Sequence, residues 1–165
     1  MTAELPASLV ANPWISTWLT VTDDGTIVLR VGKVELGQGI LTALTQIAAH
    51  ELDVPPEVVS AEATNTAASP NEGLTAGSLS ITFSGAAVRR VCAEARELYR
   101  RAAARRSGRD TGEVCLAAGV FTTPDGSRIG SYADLSAEVD LHVKVGDPSL
   151  EIELAPPTSK DLARV

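Results

Sequence analysis

Hydrophobic and polar positions follow two different periods along this chain. Two short apolar runs, residues 18–21 and 26–31, flank the turn signal Asp23-Asp24-Gly25, which predicts a β-hairpin. Residues 1–14 show no period and are expected to be irregular and extended. Over residues 40–52 the apolar positions recur every three or four residues, which predicts a helix with one buried face.

The next segments extend this pattern. Residues 58–63 predict a strand, so strand, helix and strand form a βαβ-like unit, which closes right-handed. A polar loop covers residues 64–77, and polar loops of this length are more often functional than idle. An apolar stripe over residues 79–106 predicts a second long helix, which Ser107-Gly108 should end.

Smaller elements are predicted in the last third of the chain. In order, they are a strand over residues 115–121, a turn at Pro124-Asp125-Gly126, a short helix over residues 131–135 that Ser131 and Asp134 could cap, and a strand over residues 140–145. The predicted fold class is α/β, or α+β in some schemes, with a mixed β-sheet and two main helices. Residues 1–155 should form one domain, and residues 156–165 resemble a linker.

Composition narrows the function classes. The chain has 165 residues, 44% of them apolar, and a formal net charge of −7, which argues against a general nucleic-acid binder. No segment approaches the roughly 18 apolar residues of a membrane span, so no membrane partner is expected. The first residues carry no secretory signal, so the expected location is cytoplasmic, or periplasmic by export with a signal-bearing partner. The arginines between residues 89 and 106 are expected to form a solvated helix face.

The first candidate site is the sequence Leu36-Gly37-Gln38-Gly39, at the start of the first long helix. Glycines let the backbone approach a ligand closely, and the N–H groups at a helix start suit an anion. The glutamine amide offers both donors and an acceptor, which suits a heterocycle. The alternative is a tight strand-to-helix turn with a solvated glutamine, because short glycine motifs recur by chance.

A second loop of small and hydroxyl residues follows about 40 residues later, before the second long helix. Its candidate ligand contacts are Thr75, Ala76, Gly77, Ser78 and Ser80. Alone, this loop is more readily explained as a helix cap, although capping and anion binding use the same N–H groups. Two such loops suggest one phosphate-bearing ligand held from two sides. The sequence has no Walker A loop and no dinucleotide fingerprint, and no catalytic or metal-ligating residues are assigned.

Taken in order, residues 31–41, the loop 64–80 and the helix after it resemble the molybdenum-cofactor domain of the xanthine dehydrogenase and aldehyde oxidase family. The similarity is greatest to the isoquinoline 1-oxidoreductase type of large subunit. It implies that Leu36, Gly37, Gln38 and Gly39 contact the pterin of molybdopterin, and that the second loop wraps its phosphate or pyrophosphate end. Whether the cofactor is a mononucleotide or a cytosine dinucleotide form stays open.

The resemblance also implies an activity and partners. The chain would be the cofactor-binding subunit of a multi-subunit molybdenum hydroxylase that hydroxylates an N-heteroaromatic ring, or an aldehyde, with oxygen from water. Because the family's large subunits are several times longer, the chain is expected to be the N-terminal portion of a split subunit, although a truncated piece also fits. Another chain should carry the catalytic glutamate, and an iron–sulfur subunit the [2Fe-2S] clusters. The alternatives are a non-catalytic scaffold or maturation protein and a nucleotide- or anion-binding module.

Overall fold

The computed structural model of the chain describes residues 5–35, 37–62, 69–72, 81–150 and 152–156. The helices are α1 (Ala7–Ala11), α2 (Ile15–Trp18), α3 (Ile40–Leu52), α4 (Ala86–Ser107) and α5 (Tyr132–Leu135). The strands are β1 (Leu19–Val21), β2 (Ile27–Leu29), β3 (Val59–Ala61), β4 (Cys115–Ala117), β5 (Val120–Thr122) and β6 (Arg128–Ser131). A π-helical turn covers Ile81–Gly85, and 3₁₀ turns cover Pro56–Val58, Thr111–Glu113 and Ser136–Glu138.

The first sheet has the strand order β1-β2-β3 and is mixed. β1 and β2 pair antiparallel, with Leu19 opposite Leu29, while β2 and β3 run parallel, with Ile27 opposite Val59. The predicted hairpin and the predicted βαβ-like unit, here β2–α3–β3, are therefore confirmed. A mixed sheet covered by helices also confirms the predicted α/β fold class.

The second sheet, β4-β5-β6, is antiparallel throughout. The single strand predicted over residues 115–121 was wrong, because Ala118 and Gly119 take positive φ values of 49° and 79° and turn the chain back into a hairpin. The strand predicted over residues 140–145 is also absent from the described residues. Lys144 forms only an isolated antiparallel bridge with Trp14. The alternation there reflects side chains half-buried against the core rather than a strand ladder.

The N-terminal segment differs from its predicted irregular conformation. Within the described residues 5–14 the helix α1 begins directly after Pro6, whose ring pre-sets φ for a helix start. Leu9 on this helix is fully buried, and α2 follows with Trp18 fully buried. Five-residue helices are too short to show an apolar period, so tertiary burial rather than local pattern specifies α1.

The core lies around α4, which packs on α3. Its predicted buried stripe is confirmed, since Val88, Val91, Cys92 and Tyr99 are at most 1% exposed. Each apolar side chain buried this fully contributes about 1.5–3 kcal/mol of transfer free energy. Burial raises the pKa of the Cys92 thiol, as expected for a core cysteine rather than a reactive one.

The solvated face that the sequence predicted for the arginines of α4 is present only in part, because Arg105 and Arg106 are exposed whereas the other arginines of the helix are half-buried. Three of them donate hydrogen bonds to backbone carbonyl oxygens near the C-terminal end of the described chain. The pairs are Arg89 to Ala155 at 2.6 Å, Arg96 to Glu153, and Arg101 to Ser149. Residues 152–156, here called the C-terminal segment, are thereby fixed on α4.

A buried carboxylate at the end of α3 completes this attachment. Glu51 is fully buried, and its carboxylate accepts hydrogen bonds from Arg89 Nε at 2.7 Å and from the Ala155 N–H at 2.9 Å. An Arg96 nitrogen lies 3.7 Å from the same carboxylate. The negative charge is thus paired where water is excluded, which is the condition under which a buried carboxylate is tolerated.

Candidate functional site

The glycine turn, residues 37–39, leads directly into α3. Gly37 has φ +90° and Gly39 has φ +74°, conformations that glycine adopts at little cost and other residues resist. A Cβ added at either glycine would meet no described atom within 4 Å. None of the described residues therefore blocks the close approach of a ligand to the outer face of the turn.

The carboxylate of Glu35 lies on the N-terminus of α3. Its Oε1 accepts the N–H groups of Gly37 and Gly39, both at 2.9 Å, and its Oε2 accepts the Leu41 N–H at 3.1 Å. These bonds, the one from Gly39 first, hold the pKa of Glu35 below its ordinary value. The donors that the sequence assigned to an external anion are thus occupied by the chain's own carboxylate.

Gln38 projects from the exposed middle of the turn. Its side-chain Nε2 donates to the Val34 carbonyl oxygen at 3.1 Å, so the amide plane is held beside the turn. Of the four residues predicted in this motif, the structure brings Gly37, Gln38 and Gly39 together at the start of α3. Leu36 lies outside the described residues.

The second predicted loop is described only at its flanks. The residues assigned to it, Thr75, Ala76, Gly77, Ser78 and Ser80, lie outside the described residues. At its entrance, the Glu72 carboxylate accepts the Gly32 N–H at 2.8 Å and the Ser84 hydroxyl at 2.7 Å. The Lys33 ammonium donates to the Glu72 carbonyl oxygen at 3.1 Å. Glu72, which lies before the second predicted loop, is therefore connected both with Gly32 and Lys33, which precede the glycine turn, and with Ser84, which follows the loop.

Gly32 makes this junction possible. A Cβ at Gly32 would lie 2.1 Å from the Pro70 carbonyl oxygen and 2.9 Å from the Glu72 nitrogen, so only glycine fits. Asn12, at the end of α1, also fixes the junction, because its side-chain amide exchanges two 3.0 Å hydrogen bonds with the Asn71 backbone. Sequence reasoning assigned no role to Glu72 or Asn12, and it included Gly32 in the resemblance over residues 31–41 without predicting its contact. A glycine at the end of a strand was the one available signal.

The two histidines contact residues that are distant in the sequence. His50 contacts the Pro156 carbonyl oxygen through Nε2 at 2.8 Å, while His142 stacks on Trp14 at 4.3 Å and contacts the Ser16 hydroxyl at 3.0 Å. Among the described residues, no three His, Cys, Asp or Glu side chains are grouped to hold a metal ion.

Two further features of the described chain bear on ligands and membranes. An open groove of about 630 Å³ lies between α3, α4 and the C-terminal segment, and of the described residues predicted to bind a cofactor, Gly37, Gln38 and Gly39, none lines it. In the part of the chain that the structure describes, no helix has the length and apolar character needed to cross a membrane. The cytoplasmic location stays a prediction.

Fold and site together define an α/β domain in which Glu72 connects Gly32, on the approach to the glycine turn, with Ser84, which follows the second predicted loop. Residues 4–153 match the family described as the molybdopterin cofactor-binding domain, and the chain belongs to this family. The resemblance stated from the sequence is thereby confirmed.

Individual relatives agree with the family. A nicotinate dehydrogenase subunit of Pseudomonas putida is 32% identical over 141 residues, which are 84% of this chain and 12% of that protein. Quinoline 2-oxidoreductase from Pseudomonas putida shares the fold with a TM-score of 0.60 at 20% identity, over 77% of this chain and 18% of that one. CO dehydrogenase from Oligotropha carboxidovorans does so with a TM-score of 0.62 at 23% identity, over 84% of this chain and 18% of that one. The chain thus spans about an eighth of the curated relative.

Proposed function

We propose that this chain binds the molybdenum cofactor within a multi-subunit molybdenum hydroxylase that hydroxylates an N-heteroaromatic ring with oxygen from water. The 32% identical relative is named as one subunit of a nicotinate dehydrogenase, which supports both the class of substrate and a multi-subunit assembly. Nicotinate is a nitrogen heteroaromatic acid. An aldehyde is the second substrate class, and the resemblance to aldehyde oxidases supports it.

The observation that carries this proposal is the junction at Glu72. Its carboxylate bonds Gly32, five residues before the glycine turn, and Ser84, four residues after the second loop, which supports a common site for the two motifs. We therefore expect a ligand at the glycine turn to reach the second loop, whose first assigned contact, Thr75, follows Glu72 by three residues. A ligand with a ring at one end and a phosphate at the other requires two such motifs close together.

The glycine turn fits the pterin ring of such a cofactor. Open space above Gly37 and Gly39 admits a flat heterocycle, and the amide of Gln38 offers it hydrogen bonds. In this proposal Leu36 completes the pterin contact, and the phosphate end is held by the second loop, Thr75, Ala76, Gly77, Ser78 and Ser80. The bound molybdenum cofactor supplies oxygen-transfer and two-electron chemistry, while residues of this chain bind and orient it.

The remaining catalytic parts would lie elsewhere in the assembly. We assign the catalytic glutamate to another part of the molybdenum subunit and the [2Fe-2S] clusters to an iron–sulfur subunit. Within this chain, residues 1–155 would form the cofactor-binding domain and residues 156–165 a linker towards the next part. The cofactor would be a mononucleotide or a cytosine dinucleotide form, which measurement of the released nucleotide distinguishes.

Purification of the native assembly through a tag on this chain tests the proposal. Molybdenum is measured by mass spectrometry of the metal, and pterin and nucleotide by chromatography after oxidation. We expect about one molybdenum and one pterin per chain, and lower occupancy in Gln38→Ala and Ser78→Asp. The first variant removes an amide that bonds the ring, and the second places a carboxylate where the phosphate is expected.

A matched control separates local from general effects. Gln46→Ala removes the same side chain from the body of α3, away from its N-terminus, and should leave the cofactor content unchanged. Full cofactor in both Gln38→Ala and Ser78→Asp would contradict the assigned contacts. An assembly that contains the chain but neither molybdenum nor pterin would overturn the cofactor-binding function and support the scaffold alternative.

A further inference from the structure

We propose that Glu35 is a built-in counter-anion for the glycine turn, which reserves the turn for the neutral ring of the cofactor and keeps phosphate away from the N-terminus of α3. Glu35 would act as a positioning residue, because it bonds the backbone of the turn rather than the ligand. The part that concerns the cofactor rests on the proposed function. The part that concerns anions rests on the described contacts alone.

The first argument is the number of donors that Glu35 uses. A helix start leaves its first N–H groups without helical partners, and such groups attract anions. Here one carboxylate accepts two of them, those of Gly39 and Leu41, together with the N–H of Gly37 in the turn before the helix, at 2.9 to 3.1 Å. A phosphate could use these donors only after the carboxylate had left them.

The second argument is charge. The groups that lower the pKa of Glu35 are backbone N–H groups, and no charged side chain from the described part of the chain is among them. Glu35 is exposed and stays ionised at neutral pH. A phosphate brought to the same turn would therefore meet an ionised carboxylate, and like charges at such distances repel.

The third argument is the shape of the turn. Gly37 and Gly39 both have positive φ, and because glycine is flexible, a constraint is needed to keep the backbone in this one conformation. The two bonds to one oxygen of Glu35 tie the residues on either side of Gln38 to a single point. The Gln38 amide is consequently presented in one orientation, which lowers the ordering cost of binding a ring.

The test uses the 165-residue chain labelled with ¹⁵N-glycine, which gives 13 glycine signals. In the wild type, the Gly37 and Gly39 amide signals should titrate in acid with a midpoint below the ordinary glutamate value. They should not respond to inorganic phosphate added in large excess at neutral pH. In Glu35→Gln the acid titration should disappear, and the same two signals should shift on addition of phosphate.

The control is Glu57→Gln, which removes one exposed glutamate charge in the Pro56–Val58 turn. It should behave as the wild type in both titrations. Wild-type Gly37 and Gly39 signals that shift with phosphate, or that ignore the ionisation of Glu35, would overturn the proposal. Because these wild-type measurements decide by themselves, the proposal stays testable even if Glu35→Gln folds poorly.

The native assembly tests the positioning role. Glu35→Gln should lower cofactor occupancy by about tenfold, the effect of removing a group that orients a ligand contact. Higher occupancy would overturn the proposal, since it would mean that Glu35 competes with the phosphate. A wild-type assembly without molybdenum and pterin would instead overturn the proposed function, while the glycine measurements would still decide the role of Glu35.

Discussion

The two ends of α3 each place a glutamate carboxylate on backbone N–H groups, but in different surroundings. At the start, Glu35 is exposed, and its described hydrogen bonds come from the turn that it precedes. At the end, Glu51 is fully buried, is paired with Arg89, and bonds Ala155, which is 104 residues away in sequence. The first contact shapes a local turn, and the second fixes distant parts of the chain together.

This difference follows from the surroundings of each charge. At the exposed start of α3 the Glu35 carboxylate needs no buried partner charge, and its bonds hold the local turn in one conformation. In the interior, loss of the contacts of Glu51 would leave a buried charge without a partner, which is costly. One helix therefore has an exposed end that is held by local bonds at the candidate site and a buried end that is held by the C-terminal segment.

The largest expected effect comes from Glu51→Ala. Loss of one partner of a buried ion pair should lower the free energy of unfolding by about 3–5 kcal/mol, towards the lower figure because Arg89 reaches solvent. Urea denaturation measures the change, and hydrogen exchange at the Ala155 amide should become fast. Glu57→Ala, on the surface, should change stability by less than about 0.5 kcal/mol. An unchanged Ala155 exchange rate would mean that Glu51 does not fix the C-terminal segment.

The second effect tests the junction between the motifs. Gly32→Ala should cost about 1–3 kcal/mol, as overpacking does, because the added methyl would overlap the Pro70 carbonyl oxygen. The same variant should lower the molybdenum content of the native assembly, since residues 69–72 must move. Gly112→Ala is the control, because a Cβ there meets no described atom within 4 Å. Equal cofactor content in the two variants would show that the junction at Gly32 does not influence cofactor binding.

The third effect appears in alkali and reports on the buried region. Burial raises the pKa of Tyr99 to about 12 from an ordinary value of 10.0. Since the unfolded phenol ionises first, stability should be full below pH 10 and fall as the pH rises towards 12. Tyr99→Phe should flatten this fall in urea denaturation between about pH 10 and 12, with Tyr132 contributing a residual slope because burial raises its pKa as well. Identical slopes would contradict the assignment.

The smallest effect appears in acid and reports on the exposed turns. Hydrogen bonds from Thr123 lower the pKa of Asp125 to about 2, and those from Ser131 lower that of Asp134 to about 2, from an ordinary 3.8. The stability from these carboxylates should be full above about pH 4 and be lost as the pH falls through about 2. Asp134→Asn should weaken the acid dependence of the urea midpoint relative to the wild type. Acid sensitivity equal to that of the wild type would contradict this prediction.

Much of the fold could be predicted from local pattern. The apolar period placed α3 over residues 40–52, as observed, and Gly108 in a left-handed conformation ends α4 as the Ser107-Gly108 pair predicted. The capping box of Ser131 and Asp134 at the start of α5 is also confirmed. In each case the residues that give the sequence signal belong to the element that they specify or lie within a few residues of it, so no tertiary information was needed.

The candidate site was predictable only in part. Gly37, Gln38 and Gly39 were predicted from the strand-to-helix turn, but the sequence analysis did not predict that Glu35 accepts the N–H groups of this turn. The partner of Gly32 could not be predicted from the sequence. Glu72 lies 40 residues away, and many other carboxylates in the chain could equally have accepted the Gly32 N–H. The arginines of α4 were predicted to face solvent for a similar reason, because the backbone carbonyl groups that accept their hydrogen bonds lie far away in the sequence.

The sequence by itself determined the helices α3, α4 and α5, the hairpin of β1 and β2, the glycine turn and the family. These depend on side-chain period, on backbone conformations that favour glycine, and on the order of two motifs. The tertiary structure decided which backbone groups meet the carboxylates of Glu72 and Glu51 and the guanidinium of Arg89, over separations of 40 to 104 residues. The reason is physical: every residue has a carbonyl and nearly every residue has an N–H, so these partners carry no signature in the sequence and are chosen by the path of the folded chain.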